Sequence, residues 1–205
     1  DLNISFKEDN NDFSKVYVAP FERGYAVTIG NALRRTLLTA LPGAAVTSVK
    51  IDGVSHEFST IDGISEDVSD IILNLKKIRF KMNDEASSEI ITLKFECDSA
   101  TELKAGELNN YLSDFTVINK SLKLATINKK ISLNIEIRVS RGKGYLTADK
   151  NKRTDDSLGT ISIDSIFNPV LNVSWDVVPI PSSTEGHEKL ILEVETDAST
   201  KAKDC

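Results

Sequence analysis

The sequence predicts an α+β fold. Three observations carry this. The stretch Phe21 to Gly43, FERGYAVTIGNALRRTLLTALPG, has the apolar spacing of an amphipathic helix, and a second helical pattern follows near residue 70. From Ile90 onward the chain is dominated by short alternating runs that read as strands. Strands and helices do not alternate in the strand–helix–strand order of a doubly wound parallel sheet.

The segment up to Ser14 is polar and is expected to fray. Lys15 to Ala19 (KVYVA) alternates and ends at Pro20, which predicts a strand. Phe21 to Gly24 is a turn into the first helix. Within that helix Ile29, Leu33, Leu37 and Leu41 recur every four residues and predict its apolar face. Thr28 is the expected cap, because its hydroxyl can accept a bond from an unpaired backbone N–H. Pro42-Gly43 is the expected stop. Arg34 and Arg35 fall off the leucine line, and Arg35 shares a face with Leu38.

Ala45 to Ile51 alternates, Asp52-Gly53 is a tight-turn dipeptide, and Val54 to Phe58 follows, which predicts a hairpin. The second helix should be capped by Ser65. Glu66 and Asp67 suit its positive end, Val68, Ile71, Ile72 and Leu75 its apolar face, and Lys76 and Lys77 its negative end. Further strands are predicted at Ile78 to Met82, Ile90 to Glu96, Asp114 to Ile118, Ser121 to Ile127, Ile131 to Val139, Val170 to Val178 and Lys189 to Thr196. Leu103 to Leu112 is ambiguous. Gly142 to Gly159 reads as a polar loop, and the last ten residues carry no apolar period.

A chain of 205 residues can form one large domain or two small ones. The net charge of −6 argues against a general nucleic-acid binder, which needs a basic surface. No apolar run reaches the roughly 18–20 residues of a membrane helix. The opening residues lack the basic start and apolar middle of a signal peptide. Cys97 and Cys205 are the only cysteines, which suggests a reducing cytoplasm.

Candidate sites are few. His56-Glu57 resembles the start of a zinc-protease helix, but Thr60 stands where the second histidine should be, so a strand histidine is the simpler reading. Arg141 to Tyr145 (RGKGY) is glycine-rich but lacks the Lys-Ser/Thr of a phosphate loop. With Arg138, Lys150, Lys152 and Arg153 it makes the most basic region of the chain. A solvated loop is the plain reading of residues 138–153, and a nucleic-acid-binding module the alternative. No carboxylate dyad and no G-x-S-x-G nucleophile motif is present. For Arg34-Arg35 the plain reading is the solvent side of an amphipathic helix.

Taken together, the blocks FERGY, TIGNALRR, LPG, IDGV, the Glu66-Asp67 helix with LNLKK, RGKGY, GTISIDSIFNPV and KLILEVETD closely resemble one family. It is the N-terminal domain of the alpha subunit of bacterial DNA-directed RNA polymerase. The resemblance spans nearly the whole chain and is weak only from about Ser87 to Leu133. It implies two lobes: a discontinuous dimerisation domain from residues 1–42 and 170–205, and an inserted β-rich domain at 43–169. It implies a non-catalytic, cytoplasmic assembly subunit whose homodimer is the scaffold for loading the beta and beta-prime subunits, with no cofactor and no metal. Position by position, Arg35 and Leu38 fall where the family contacts beta. Asp70, Lys76 and Asp164 fall near positions of beta-prime contact. The helix bearing Ile29, Leu33, Leu37 and Leu41 would pack against its symmetry mate. The family pattern continues past Cys205 into a second dimer helix, a linker and a DNA-binding domain. This sequence departs from it at Asp98 to Asn110 and at Val178 to His187.

Overall fold

The computed structural model describes residues 2–83 and 85–205. In chain order the elements are β1 (Asn3–Asp9), β2 (Phe13–Phe21), α1 (Tyr25–Thr39), β3 (Pro42–Ile51), α2 (Val68–Lys76), β4 (Phe80–Met82), β5 (Ser88–Cys97) and β6 (Thr101–Lys104). A 3-10 turn at Ala105–Asn110 precedes β7 (Phe115–Val117), β8 (Lys123–Ile127), β9 (Ile131–Lys143), β10 (Tyr145–Leu146), α3 (Ala148–Asn151), β11 (Ile161–Ser162) and β12 (Ser165–Ile166). The chain then forms β13 (Val170–Pro179), β14 (Glu188–Thr196) and a final 3-10 turn at Ala202–Asp204. Two compact units result: one from the chain ends, up to Pro42 and from Asn168 onward, and one from Gly43–Phe167. Strands dominate and the helices do not alternate with them throughout in strand–helix–strand order, which makes this an α+β fold, and no helix among the described residues is long and apolar enough to cross a membrane.

The unit made from the chain ends is a four-stranded antiparallel sheet, ordered β1-β2-β14-β13, with α1 laid on β13 and β14. Phe6 pairs with Val16, Val16 with Leu192, and Leu192 with Trp175, so these side chains share one face of the sheet. Leu37 of α1 joins Val173, Leu192 and Val194 in the core beneath it. The strand β1 corrects the expectation of a frayed terminus. Its pairing is made by backbone groups, while every side chain in it is exposed, so composition hid it.

The first helix also departs from its expected ends. It starts at Tyr25, after Gly24 in the left-handed region (φ 88), so Thr28 lies inside the first turn and caps nothing. It closes at Thr39, and Pro42-Gly43 opens β3 instead of stopping the helix. A proline suits that place, since the first residue of a strand can do without an N–H. Of the four-residue leucine stripe only Leu37 is buried. Leu41 is half-buried, and Ile29 and Leu33 remain 38% and 36% exposed. The spacing explains this. At 3.6 residues per turn, a step of four drifts about 40° around the helix, so Ile29 stands about 80° from Leu37. The helix meets the sheet through Ala26, Gly30 and Leu37.

In the inserted unit the main sheet is ordered β11-β3-β9-β5. The expected hairpin from Ala45 to Phe58 does not form. Asp52-Gly53 does turn the chain, but β3 already has β11 and β9 on its two edges, so Val54 to Phe58 has no edge to pair with. The second helix is capped by Asp67, whose Oδ1 accepts the Asp70 N–H at 2.8 Å, and not by Ser65. Ser65 is engaged elsewhere: its hydroxyl accepts from Asn128 and its N–H donates to the Thr126 carbonyl. Val68, Ile71 and Leu75 of α2 enter a core shared with Val49, Ile51, Leu93, Leu133 and Ile137. Each such side chain stabilises by about 1.5–3 kcal/mol when fully buried. The ambiguous Leu103 to Leu112 stretch closes β6 and forms the 3-10 turn. The expected loop from Gly142 to Gly159 contains β10 and α3, held by buried Asn151, whose amide donates to the Ile163 carbonyl at 2.6 Å.

Glu66 ties the approach to α2 to β8. Its carboxylate accepts from the Thr126 N–H (2.6 Å), the Thr126 hydroxyl (2.9 Å) and Lys123 (3.3 Å). Burial alone would push this carboxyl up, but the hydrogen bonds outweigh it and hold it below its usual range. A depressed carboxyl contributes stability above its unfolded value near 4.5 and loses it as pH falls through the lower folded value. Glu66→Gln should therefore lower stability by about 2 kcal/mol at neutral pH, with the difference closing as pH falls through the lowered folded value. Denaturant melts of both proteins across pH check this. A difference that does not change with pH would remove the charge from the explanation.

Candidate functional site

Two surfaces collect the residues singled out in the sequence. In the unit of chain ends, α1 is fixed to its own sheet at four places. Glu188 of β14 sits at the helix start, its carboxylate accepting the Gly24 N–H at 3.0 Å, which suits the positive end of the dipole. Gly30 lies so close to Trp175 that an added Cβ would stand 2.7 Å from its ring. Arg34 donates from Nε to the Val173 carbonyl at 3.1 Å. At the far end the Asn168 amide donates to the Leu38 carbonyl at 3.0 Å and to that of Val170 at 2.9 Å. Four unpaired carbonyls are expected at a helix C-terminus, and Asn168 satisfies one of them.

So held, α1 presents a mixed outer side. Tyr25, Val27, Ile29 and Leu33 are exposed apolar residues along it. Arg35 is exposed too, at the rim of a shallow depression of about 290 Å³ lined also by Ala32, Thr36 and Thr39. Leu38, three residues from Arg35, is half-buried and packs on the core of the unit. The two residues expected to act together thus differ: Arg35 reaches outward and Leu38 mostly inward.

The inserted unit carries a groove of about 660 Å³ between α2, the segment 55–57, α3 and the stretch 160–164. Lys76 and Asp164, 88 positions apart, meet in it at 3.9 Å. Asp164 has a second task, since its Oδ1 accepts the Ala148 N–H at the start of α3 at 2.7 Å. The Tyr145 hydroxyl is pushed above its usual range by partial desolvation and then by the Asp164 carboxylate. Asp70 is exposed on the first turn of α2, and the groove is not lined by it. Ile72 and exposed Leu73 give the groove an apolar wall, with His56, Lys76 and Lys152 as cations or potential cations and Glu57, Asp149 and Asp164 as acids. His56 lies in a turn, its Nδ1 3.3 Å from the Ser59 hydroxyl, and not in a strand.

Of the six cations in the basic stretch 138–153, Arg138 alone is buried, and the other five are exposed. Arg138 lies in β9 with its side chain 7% exposed, and its Nη1 donates to Asp156 Oδ1 at 2.7 Å. It is held away from any phosphate. Sequence reasoning missed Glu188 and Asn168, and it singled out Arg34 without its bond to the sheet. Each bonds to a partner more than 100 positions away, and no local pattern signals that.

Comparison with known proteins adds the remaining finding. Residues 49–168 match the sequence model of the RNA polymerase Rpb3/RpoA insert domain. The DNA-directed RNA polymerase subunit alpha of Chlorobaculum tepidum is 46% identical over 207 residues, which cover 100% of this chain and 62% of that protein. The subunit of the same name from Prosthecochloris aestuarii is 46% identical over 187 residues, 90% of this chain and 56% of that protein. That of Salinibacter ruber is 42% identical over 197 residues, 96% of this chain and 59% of that protein. The chain thus spans less than two thirds of the length of these relatives.

Proposed function

The chain belongs to the alpha-subunit family of bacterial DNA-directed RNA polymerase, corresponding to that subunit's N-terminal domain, and on that premise we propose that it is a non-catalytic assembly scaffold. It works in the cytoplasm as a homodimer onto which the beta and beta-prime subunits load. The unit of chain ends is the dimerisation domain, and the exposed Ile29 and Leu33 meet the second copy. Arg35 contacts beta, with half-buried Leu38 as the apolar ground beside it. Lys76 and Asp164 in the groove, and Asp70 on the same helix, contact beta-prime.

The observation that carries this reading is the state of α1. A helix pinned to its own sheet yet showing four large apolar side chains and an arginine is preorganised for a protein partner. Arginine suits such a surface because its planar fork can pair bidentately.

Co-purification of the full-length chain with the two large subunits tests the assignment. Arg35→Ala should weaken capture of beta by about 2 kcal/mol, about 30-fold in Kd. Its melting temperature should stay that of the wild type, since Arg35 is exposed. If Arg35→Ala holds beta as tightly as the wild type, the docking face is assigned wrongly. Sedimentation of the same chain reads the dimer.

A further inference from the structure

We infer that Arg34 is a positioning residue for the α1 docking face: its hydrogen bond to β13 sets the rotation of the helix that turns Arg35 outward. The inference rests on the reading of Arg35 given above. Adjacent residues on a helix point about 100° apart, so two neighbouring arginines cannot both face one partner squarely. Here they take different tasks. Both are exposed, but Arg34 Nε donates to the Val173 carbonyl at 3.1 Å, whereas Arg35 lines the depression with Ala32, Thr36 and Thr39.

Val173 offers that carbonyl for a reason. β13 is the outer strand of its sheet, so among the described residues one side of its backbone has no strand beside it. The pairing with β14 also shifts register between Val170 and Asn172, just before Val173. Edge carbonyls need partners, and a guanidinium supplies a charge-assisted donor.

The other contacts of α1 fix different freedoms. Glu188 holds the start of the helix and Asn168 its end, which together limit sliding along the axis. The close approach of Ala26 and Gly30, the latter against the Trp175 ring, sets how near the helix lies to the sheet. Rotation is left to Leu37 and to the directional bond of Arg34. A rotation of about 20° would carry the helix surface, about 5–6 Å from the axis, through about 2 Å. That is enough to lose a hydrogen bond made by Arg35.

A double-mutant cycle in the full-length chain, read as affinity for the beta subunit, tests this. Arg34→Met keeps the aliphatic stem and removes the donor. It should weaken beta binding about tenfold. Arg34→Lys should recover most of the loss, because an ammonium can also reach the carbonyl. With Arg35 already replaced by alanine, Arg34→Met should cost less than about twofold more, because the residue it positions is gone. Equal losses in both backgrounds would mean that Arg34 touches the partner itself or only stabilises the unit, and would overturn the inference. No loss on Arg34→Met overturns it as well. A null result for Arg35→Ala alone removes the docking face and this inference together, and that arm is measured separately.

Discussion

Replacing Arg138 with methionine should destabilise the inserted unit by about 3–5 kcal/mol, the cost of leaving a buried charge without its partner. Asp156 would be that charge. Its side chain is 8% exposed, and it bridges Arg138 Nη1 at 2.7 Å and the Arg153 N–H at 2.8 Å. Burial by itself would push the Asp156 carboxyl up. The Arg153 backbone bond and the Arg138 guanidinium outweigh it and hold the carboxyl below its usual range. The wild-type contribution is therefore complete above about 3.8, the ordinary value, and fades as pH falls through the lower folded value. In Arg138→Met the sign reverses. Asp156 keeps its burial and loses its cation, so protonation relieves the strain. The difference between the two proteins should be largest near neutral pH and shrink below about pH 4. The double variant Arg138→Met/Asp156→Leu should recover most of the loss, since an apolar pair of similar volume avoids the desolvation of both ions. Recovery is helped because Arg138 Nε is buried without a hydrogen-bond partner. Denaturant melts of the three proteins across pH decide it. A single variant within about 1 kcal/mol of the wild type would show that water reaches Asp156 freely.

The same pair bears on what the most basic stretch of the chain does. Composition placed Arg138 among six cations between positions 138 and 153. The fold withdraws it into an ion pair with Asp156, which also accepts the Arg153 N–H. Charge runs read from sequence assume every side chain is in water, and Arg138 is not, although the other five cations of the run are exposed.

How much was legible depends on the range of the interaction. The two long helices and most of the strands follow from local periodicity, and α2 shows the expected Val68, Ile71 and Leu75 on its inner face. The start of α1 was misplaced because the distant Glu188 holds it, and that of α2 because Asp67 caps it in place of Ser65. The predicted hairpin failed because local turn chemistry says nothing about which edges of β3 are already taken. The leucine stripe was read at a spacing of four, and the 3.6-residue turn carries Ile29 away from the sheet. That error is informative: the residues it misplaced are the exposed ones now proposed to meet a second copy. The Lys76–Asp164 groove needs residues from four separate segments, and only the resemblance joined two of them in advance.

Gly30→Leu should have a comparably large effect on the unit of chain ends, about 2–4 kcal/mol. A glycine inside a helix costs about 1 kcal/mol relative to alanine, so its place needs a reason. Close approach supplies it. A Cβ at position 30 would stand 2.7 Å from Trp175 Cδ2 and 3.1 Å from a methyl of Leu190, which is fully buried. Cδ2 belongs to a fused ring and cannot swing aside as a flexible chain would, so α1 must lift. Overpacking of this kind costs about 1–3 kcal/mol. Lifting also stretches the Arg34–Val173 and Asn168–Leu38 bonds, now 3.1 and 3.0 Å, at about 1 kcal/mol each. The helix propensity gained by removing glycine offsets about 1 kcal/mol of this. Trp175 is the only tryptophan, so its fluorescence reports this contact directly. The expected result is a lower melting temperature and an altered Trp175 emission, together with weaker self-association and weaker beta binding. Arg35→Ala should lose beta binding alone. If Gly30→Leu melts like the wild type with unchanged Trp175 emission, α1 has slack on its sheet. Its outer side would then not be presented in one fixed orientation.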